Sequence, residues 1–374
     1  MEQGPNQKPG AAGFGLLAVL VAVSLMLGLG RFFSRGEAVT AFSAATLPGA
    51  GAAKPVTAQI APGSKLIPMG RAVGIKLFSD GVLVVGLAEV ETEEGSKCPG
   101  RECGLKTGDV ITHINGGEVD TIEQVQNLLT EQAGETLTIQ AMRGQKQVQL
   151  TAAAVENQDG VYQLGLWLRD SMAGIGTMTF YDPETGMFAA LGHGINDVDT
   201  AMLMPMESGS IMAATVADVK KGTTGQPGEL HGQFDMTRDL GSLYANTERG
   251  VFGQMSQCDM MADGAALEVA DPEQVETGPA TILSNVQGDE VKEYDIKITH
   301  VDQDSKGTRN LMIQVTDPEL LNQTGGIVQG MSGSPILQNG RIVGAVTHVL
   351  VNDPTRGYGI FIENMLEAAG NSIN

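Results

Sequence analysis

The chain has 374 residues and a formal net charge of −21 at pH 7, from 23 Lys and Arg against 44 Asp and Glu. Binding to a nucleic-acid backbone needs clustered Lys and Arg. The sequence has neither such a cluster nor a Gly-x4-Gly-Lys-Ser/Thr phosphate loop, which disfavours nucleic-acid binders and P-loop nucleotide enzymes. Fifty glycines and 4% aromatic residues favour a turn-rich, mainly β fold over a helical bundle.

The N-terminus contains a long apolar segment. Residues 9–30 carry no charge and match the roughly 20 residues that span a bilayer. A cleaved signal peptide would show a small-x-small site directly after the apolar run, whereas Ala-rich candidates occur only beyond Arg31 and Arg35. We predict an N-terminal tip and transmembrane anchor over residues 1–36, cleaved late or not at all, whose flanking charges leave the orientation open. A flexible linker rich in Ala, Pro, Gly and Thr follows over residues 37–63.

Residues 64–153 form the next predicted domain. Two predicted strands, 74–77 and 82–85, pair around a Ser-Asp-Gly turn, and apolar residues at helical spacing predict a helix after Thr121. Two further strands within residues 137–152 close the domain.

The run GLKTGDVITHINGGEV (104–119) resembles the signature of bacterial PDZ domains. That resemblance implies an α+β domain with a groove for an extended peptide ligand. The backbone N–H groups that would capture the peptide carboxylate belong to Gly74, Ile75, Lys76 and Leu77. The helix after Thr121 would form the other wall. A purely structural PDZ-like spacer is the alternative.

Residues 154–374 are predicted to be a second, all-β domain. Short apolar runs between Gly, Asp or Pro turns recur at the spacing of a sandwich or barrel pair. These runs are Val161–Leu168, Gly176–Tyr181, Ser210–Val216, Ala280–Asn285 and Glu293–Val301. The length suits a trypsin-like double β-barrel with its active site in the cleft between the barrels. Residues 362–369 are predicted to form a short terminal helix.

Residues 330–335 read Gly-Met-Ser-Gly-Ser-Pro and resemble the Gly-x-Ser-Gly-x-Pro nucleophile turn of trypsin-like serine proteases. A nucleophilic serine needs a tight turn whose own N–H groups point at the carbonyl under attack. Gly330 allows close approach of the substrate, and Gly333 allows the backbone angles of such a turn. We predict Ser332 as the nucleophile and the N–H groups of Gly330 and Ser332 as oxyanion donors. A hairpin joined through residues 338–341 should follow.

His193 is the predicted general base. It lies between Gly192 and Gly194 at the end of an apolar strand, where the imidazole can project into a cleft. His348 follows the predicted nucleophile hairpin and is expected to line the same cleft.

A third group must orient the imidazole and stabilise its charged form. Asp317, which ends a predicted strand and precedes Pro318, is the chosen candidate. An Asp-Pro after a strand is also an ordinary turn or helix start. The competing carboxylates are Asp197, Asp199, Asp235 and Asp239.

Three segments of the chain resemble the stage IV sporulation protein B (SpoIVB) peptidase family. They are IVQGMSGSPILQNGRIVGAVTHVLVNDPTRGYGIFIENML (327–366), LGHGIND (191–197) and LIPMGRAVGIKLFSDGVLVVG (66–86). The resemblance covers roughly residues 60–370 and implies a membrane anchor, a PDZ domain and a serine peptidase in that order. It carries Asp317 over by its Val-Thr-Asp-Pro context and its short distance from the serine.

The resemblance implies an endopeptidase whose body lies outside the membrane, in the intermembrane space of a developing endospore. It would cleave a membrane-bound regulatory protein, so that a late mother-cell sigma factor is activated, and would cleave itself within residues 38–57. A hydroxyl, an imidazole and a carboxylate supply the chemistry, so no cofactor or metal is expected. A catalytically silent PDZ and β-barrel scaffold and a general quality-control protease are the alternatives.

Cys98 and Cys103 bracket a turn-prone loop and suit either a small disulfide or two unpaired thiols. Cys258 is left over.

Overall fold

The computed structural model of the chain describes residues 64–256 and 264–372. The predicted anchor and linker, residues 1–63, lie outside the described residues, as does Cys258. No helix within the described part of the chain is long and apolar enough to cross a membrane.

The described chain opens with two strands, β1 (Lys65–Pro68) and β2 (Ala72–Leu87). β2 is one continuous strand of 16 residues, whereas the sequence predicted two strands and a turn. Gly81 adopts a φ of 85° and donates its N–H to Asp120 Oδ1 (3.2 Å), and the strand continues past it. The two halves of β2 pair with other strands and not with each other, so the predicted turn between them is absent.

Residues 88–165 form a compact α+β module. Its strands and helices are β3 (Val90–Thr92), β4 (Gly95–Lys97), α1 (Pro99–Cys103), β5 (Asp109–Ile114), β6 (Gly117–Glu118), α2 (Ile122–Gln132), β7 (Thr136–Arg143), β8 (Lys146–Ala153), β9 (Val155–Glu156) and β10 (Tyr162–Gln163). The helix predicted after Thr121 is present. Thr121 accepts a hydrogen bond from the N–H of Gln124 and closes a capping box, which fixes where the helix starts.

A barrel of six strands follows, completed by the first half of β2. The new strands are β11 (Leu166–Tyr181), β12 (Met187–Ala190), β13 (Ser208–Lys220), β14 (Glu229–Thr247) and β15 (Gly250–Met255). Pairing runs β11–β12–β15–β14–β13–β2, and β2 pairs with β11 again, which closes the ring. β14 occupies much of a stretch, 220–249, in which the sequence shows no clear periodicity.

The C-terminal part forms a second closed barrel. Its elements are β16 (Leu267–Glu268), a 3-10 turn (Pro272–Gln274), β17 (Gly278–Gln287), β18 (Glu290–Val301), β19 (Leu311–Val315), α3 (Pro318–Thr324), β20 (Pro335–Gln338), β21 (Arg341–Leu350), β22 (Asp353–Phe361) and α4 (Ile362–Asn371). The barrel order is β17–β18–β19–β22–β21–β20, while β16 pairs with β1. The predicted hairpin is β20–β21, turned by Asn339 (φ 53°) and Gly340 (φ 73°).

The described fold is therefore mainly β, with two six-stranded barrels and an α+β module. The sequence predicted one domain over residues 64–153 and a second over residues 154–374, but the structure does not divide the chain there. β2 and β11 are paired along their length, from Ala72 opposite Thr177 to Leu87 opposite Leu166. Both strands run from the first barrel into the module, so the module is inserted into the barrel. Strand patterns in a sequence do not name their partners, which is why the linear division missed this.

Candidate active site

The predicted nucleophile turn lies between α3 and β20 of the second barrel. Gly330 and Gly333 each adopt a φ of 99°, a left-handed conformation that favours glycine. A Cβ on Gly333 would overlap the carbonyl oxygen of Thr177 and lie 2.6 Å from the N atom of Leu191. The close approach of the serine turn to the chain around Leu191 therefore requires glycine at this position.

Thr177 of β11 holds this turn from the first barrel. Its N–H donates to the carbonyl oxygen of Ser332 (3.2 Å), and its Oγ1 donates to the carbonyl oxygen of Gly330 (2.6 Å). Its own carbonyl accepts the N–H of Leu191 (3.2 Å), two residues before His193. One fully buried threonine thus ties the serine turn to the histidine loop.

The N–H groups of Gly330 and Ser332 are free of protein acceptors within residues 64–256 and 264–372. Their neighbours are occupied, since Met331 N–H donates to Val328 and Gly333 N–H donates to Val346. These two groups are therefore available to an incoming oxygen, as the oxyanion prediction requires.

His193 follows a sharp turn at the end of β12, where Leu191 (φ 71°) and Gly192 (φ 68°) are both left-handed. Its Nδ1 lies 2.8 Å from the carbonyl oxygen of Gly194. Because a carbonyl only accepts, Nδ1 carries the proton and Nε2 carries the lone pair of the neutral ring. Burial lowers the pKa of His193 below its usual value, against a smaller opposing effect of the Gly194 carbonyl. The imidazole is therefore neutral at pH 7 and able to accept a proton.

His193, Ser332 and His348 line one cavity of about 480 Å³. The hydroxyl of Ser332 donates to the carbonyl oxygen of Thr347 (2.7 Å), and within the described residues it has no hydrogen bond to His193. The structure thus brings the predicted nucleophile and base to one cavity, with the hydroxyl held by the backbone.

His348 lines this cavity, as the sequence predicted. Its ring centroid lies 5.1 Å from that of His193, with 37° between the ring planes. Burial, then the neighbouring His193 and Arg309, lower the pKa of His348 to about 4. Its Nδ1 is buried and without a hydrogen-bond partner in the described part of the chain.

Asp317 does not orient His193, which corrects the sequence assignment. It is the N-cap of α3: its Oδ1 accepts the N–H of Leu320 (2.9 Å) and its Oδ2 accepts the N–H of Asp295 (3.3 Å). Of the two interpretations of Asp-Pro after a strand, the structure shows the helix start, with Pro318 at the first helical position.

The competing carboxylates are also engaged elsewhere. Asp197 is fully buried against Arg169, which also binds Asp199 (2.8 Å). Asp235 accepts from Thr237, and Asp239 accepts from Ser210. No carboxylate of the described residues hydrogen bonds to His193, whose Nδ1 instead faces the Gly194 carbonyl.

The predicted peptide-binding residues, Gly74, Ile75, Lys76 and Leu77, form no open groove. Their strand is paired on both edges, with residues 172–175 of β11 on one side and residues 209–212 of β13 on the other. Ile75 lines the cavity of Ser332. The assignment is wrong because this segment belongs to the first barrel.

The groove of the module lies between α2 and the start of β11. It is a cavity of about 390 Å³, with apolar side chains from both walls. They are Ile122, Val125, Leu129, Leu164, Leu166 and Leu168. Gly165, at a φ of 71°, lies at the start of the strand wall. A glycine between two leucines directly before a long strand is the sequence signal that could have found it.

Cys98 and Cys103 are both free thiols. Cys98 Sγ contacts the carbonyl oxygen of Gly165 (3.6 Å), and Cys103 Sγ contacts that of Gly100 (3.2 Å). Burial raises the pKa of the Cys103 thiol.

Comparison with known proteins gives two family matches. The profile of the SpoIVB peptidase S55 family matches residues 160–366, and that of the PDZ domain matches residues 92–143. No curated protein matches the chain.

Solved structures resemble parts of the chain. The PDZ domain of an SdrC-like protein from Listeria monocytogenes is 23% identical over 24% of this chain and 87% of its own, with a TM-score of 0.19. The active form of the Rv3671c protease from M. tuberculosis is 15% identical over 52% of this chain and 72% of its own, with a TM-score of 0.30. The HtrA-type protease AlgW with a decapeptide is 13% identical over 55% of this chain and 53% of its own, with a TM-score of 0.32.

The match to the first profile covers more than half of the chain and includes both His193 and Ser332. The residues that it spans also form the two barrels around the serine cavity, apart from the strands before residue 160. The chain is a serine peptidase with a PDZ domain, and it belongs to the SpoIVB peptidase S55 family.

Proposed function

We propose that this protein is a membrane-tethered serine endopeptidase of sporulation that uses Ser332 as nucleophile and His193 as base. The observation that carries the catalytic part is the shared cavity of Ser332 and His193, beside two N–H groups without protein acceptors among the described residues. In this proposal the hydroxyl of Ser332 turns from Thr347 towards the cavity and attacks the substrate carbonyl. His193 Nε2 takes the hydroxyl proton and then gives it to the leaving amine.

The oxyanion of the tetrahedral intermediate would accept hydrogen bonds from the N–H groups of Gly330 and Ser332. Removal of one such donor typically lowers kcat by about 10²–10³. Thr177 does not contact the substrate in this scheme. It positions the donors by holding the carbonyls of Gly330 and Ser332.

The protonated form of His193 would be stabilised by the Gly194 carbonyl, which accepts the Nδ1 proton. A carbonyl dipole stabilises an imidazolium less than a carboxylate does, because it carries no net charge. We therefore propose a slow enzyme, which suits a signalling peptidase that cuts one or a few bonds better than a quality-control protease that cuts many.

The place and substrate are proposed from the family resemblance. The body would lie in the intermembrane space of the forespore, held by the predicted anchor, and cleave a membrane-bound regulatory protein. That cleavage would lead to activation of a late mother-cell sigma factor, and self-cleavage would occur in the linker. A peptide ligand in the module groove would bring the enzyme to its partner, since tethering raises effective concentration towards the mM range.

A fluorophosphonate probe tests the catalytic part, because it reacts with an activated serine without needing a known peptide substrate. We expect the full chain to be labelled at Ser332 and the Ser332→Ala variant to remain unlabelled. Absence of labelling in folded, full-length protein, also in the presence of PDZ-binding peptides, would overturn the proposal in favour of a catalytically silent scaffold.

A further inference from the structure

The proposed reaction uses only one of the two histidines that line the serine cavity. His193 serves as the base, whereas His348 lies beside it, 5.1 Å away between ring centroids. Imidazole nitrogen is a preferred ligand of zinc, copper and nickel ions, unlike magnesium and calcium, which prefer oxygen. Two imidazoles side by side in one cavity are therefore candidate ligands for such a metal ion.

The separation of the rings agrees with the geometry of zinc. A tetrahedral zinc ion about 2.05 Å from one nitrogen of each of two imidazoles places the ring centroids roughly 5.2 Å apart. The observed separation is 5.1 Å. A separation of 5.1 Å also lies within the range of ordinary aromatic pairs, about 4.5 to 7 Å. The metal assignment therefore rests on the hydrogen bonds of the two rings as well as on their distance.

The hydrogen bonds around the pair also suit a metal. A histidine that binds a metal usually donates its other ring N–H to a carbonyl or carboxylate. His193 does so already, because Nδ1 donates to Gly194 (2.8 Å) and leaves the Nε2 lone pair free. His348 has a buried Nδ1 without a hydrogen-bond partner among the described residues, so its ring is not committed to another protein group.

We propose that His193 and His348 form a two-histidine site for a zinc ion, or a chemically similar divalent transition metal, and that metal bound there inhibits the peptidase. The inhibitory part rests on the proposed role of His193 as base, because a metal on Nε2 occupies the lone pair that would accept the proton of Ser332. The remaining coordination positions would be filled by water in the cavity. Among the described residues no group of three or more His, Cys, Asp or Glu side chains could hold a metal, so this site would have two protein ligands.

Arg309 opposes this binding. Its guanidinium lies over the ring of Tyr358 (5.2 Å to the centroid) and close enough to His348 to act on it electrostatically. A positive charge next to the site repels a divalent cation. Arg309→Gln should therefore bind zinc more tightly than the natural sequence, which a binding site elsewhere in the molecule would not show.

Equilibrium dialysis against ZnCl2 tests the site without relying on activity. The protein is the full chain with Ser332→Ala, to prevent self-cleavage, and with Cys98→Ser, Cys103→Ser and Cys258→Ser, because thiolates are the strongest competing zinc ligands. We expect one zinc per chain, loss of that zinc in His348→Gln and in His348→Phe, and tighter binding in Arg309→Gln. His300→Ala, which removes an exposed histidine of the second barrel, is the matched control and should keep the zinc.

Fluorophosphonate labelling of Ser332 tests the inhibition. Zinc at about ten times its Kd should leave roughly a tenth of the labelling rate, and EDTA should restore it. In His348→Gln the rate should not respond to zinc, whatever its value without metal. Zinc binding that survives His348→Gln, or no binding at all, would overturn the site. Bound zinc without an effect on the labelling rate would overturn the inhibition. If Ser332 is never labelled, the proposed function fails, and the dialysis still decides whether the site exists.

Discussion

The hydroxyl of Ser332 donates a hydrogen bond to the carbonyl oxygen of Thr347, the residue directly before His348. The nucleophile is thus held by the strand that carries the second histidine, while His193 faces the same cavity from the other barrel. The side chain of Ser332 must rotate away from Thr347 before His193 can take the proton of the serine hydroxyl. Catalysis should therefore be sensitive to whatever fixes the backbone on either side of Ser332.

Replacement of Ser332 is the first prediction. Ser332→Ala should abolish probe labelling and proteolysis, since loss of a catalytic serine lowers kcat by about 10⁶. Ser334→Ala is the matched control, because the hydroxyl of Ser334 is buried and hydrogen bonds to Ser284 (3.1 Å) inside the barrel. That change should cost about 1 kcal/mol of unfolding free energy and keep the labelling. The opposite pattern, with Ser334 essential and Ser332 dispensable, would reassign the nucleophile.

Thr177 gives a second prediction. Thr177→Val keeps the shape of the side chain but removes the hydrogen bond to Gly330, so the oxyanion donors lose a fixed position. We expect kcat to fall by about 10²-fold with little change in KM, the size of effect that a small misplacement of catalytic groups produces. Thr177→Ser restores the hydroxyl and should recover most of the rate. A loss of rate in Thr177→Ser with none in Thr177→Val would mean that the methyl group, and not the hydrogen bond, matters.

Asp317 gives a third prediction, which separates a helix cap from a catalytic acid. Asparagine is as good an N-cap as aspartate, so Asp317→Asn should keep the bond to Leu320 and should not appreciably change the labelling of Ser332. Its amide nitrogen cannot accept the N–H of Asp295, so we expect a loss of stability that is smaller than that of Asp317→Ala. Asp317→Ala should cost about 1 kcal/mol of unfolding free energy, measured by urea denaturation. A rate loss near 10⁴ in a well-folded Asp317→Asn protein would restore the triad role, because that is the cost of losing the aspartate that orients a catalytic histidine.

The depressed pKa of His348 predicts a pH-dependent stability. In the folded protein His348 titrates with a pKa of about 4, against a usual value near 6.5. Between these values the unfolded chain binds more protons than the folded one, so stability falls as pH drops. The contribution is complete above pH 6.5 and is lost as pH falls towards 4, on the order of 2 kcal/mol in all. His348→Gln should flatten this part of the curve; an unchanged slope in that variant would assign it to other groups.

The only tryptophan of the chain gives a fifth prediction. Trp167 lines the groove between α2 and β11 and is 66% exposed, so a peptide that binds there should change its fluorescence. Ile122→Glu places a charge on the apolar wall of the groove and should remove the response. Glu123→Ala, on the exposed side of the same helix turn, is the control. A response that survives Ile122→Glu would place the peptide elsewhere.

The features that could be predicted from the sequence are those set by local backbone chemistry. The left-handed glycines at 330 and 333, the Asn-Gly hairpin turn and the capping box at Thr121 each depend on a few adjacent residues. Their positions in the chain are therefore visible without the fold. Gly192 before His193 (φ 68°) belongs to the same class, because it permits a turn that brings the imidazole to the cavity.

The features that could not be predicted depend on which segments meet. Residues 74–77 look like any strand, and only their pairing with β11 and β13 places them in the barrel instead of the module. Asp317 has the same local sequence whether it caps a helix or faces a histidine. That choice depends on the position of α3 relative to the cavity, which the Asp-Pro pattern does not contain.

The insertion of the module between β2 and β11 determines how the peptidase could be shortened. If the domains simply followed one another along the chain, the peptidase could be isolated by deleting residues up to 153. That deletion would remove β1 and β2 and leave the first barrel open. Phe78 lies opposite Ser171 in the antiparallel pair, so a short turn joining these two positions could replace everything between them. An internal excision that keeps β1 and the first half of β2 would thus remove the peptide groove without removing a barrel strand.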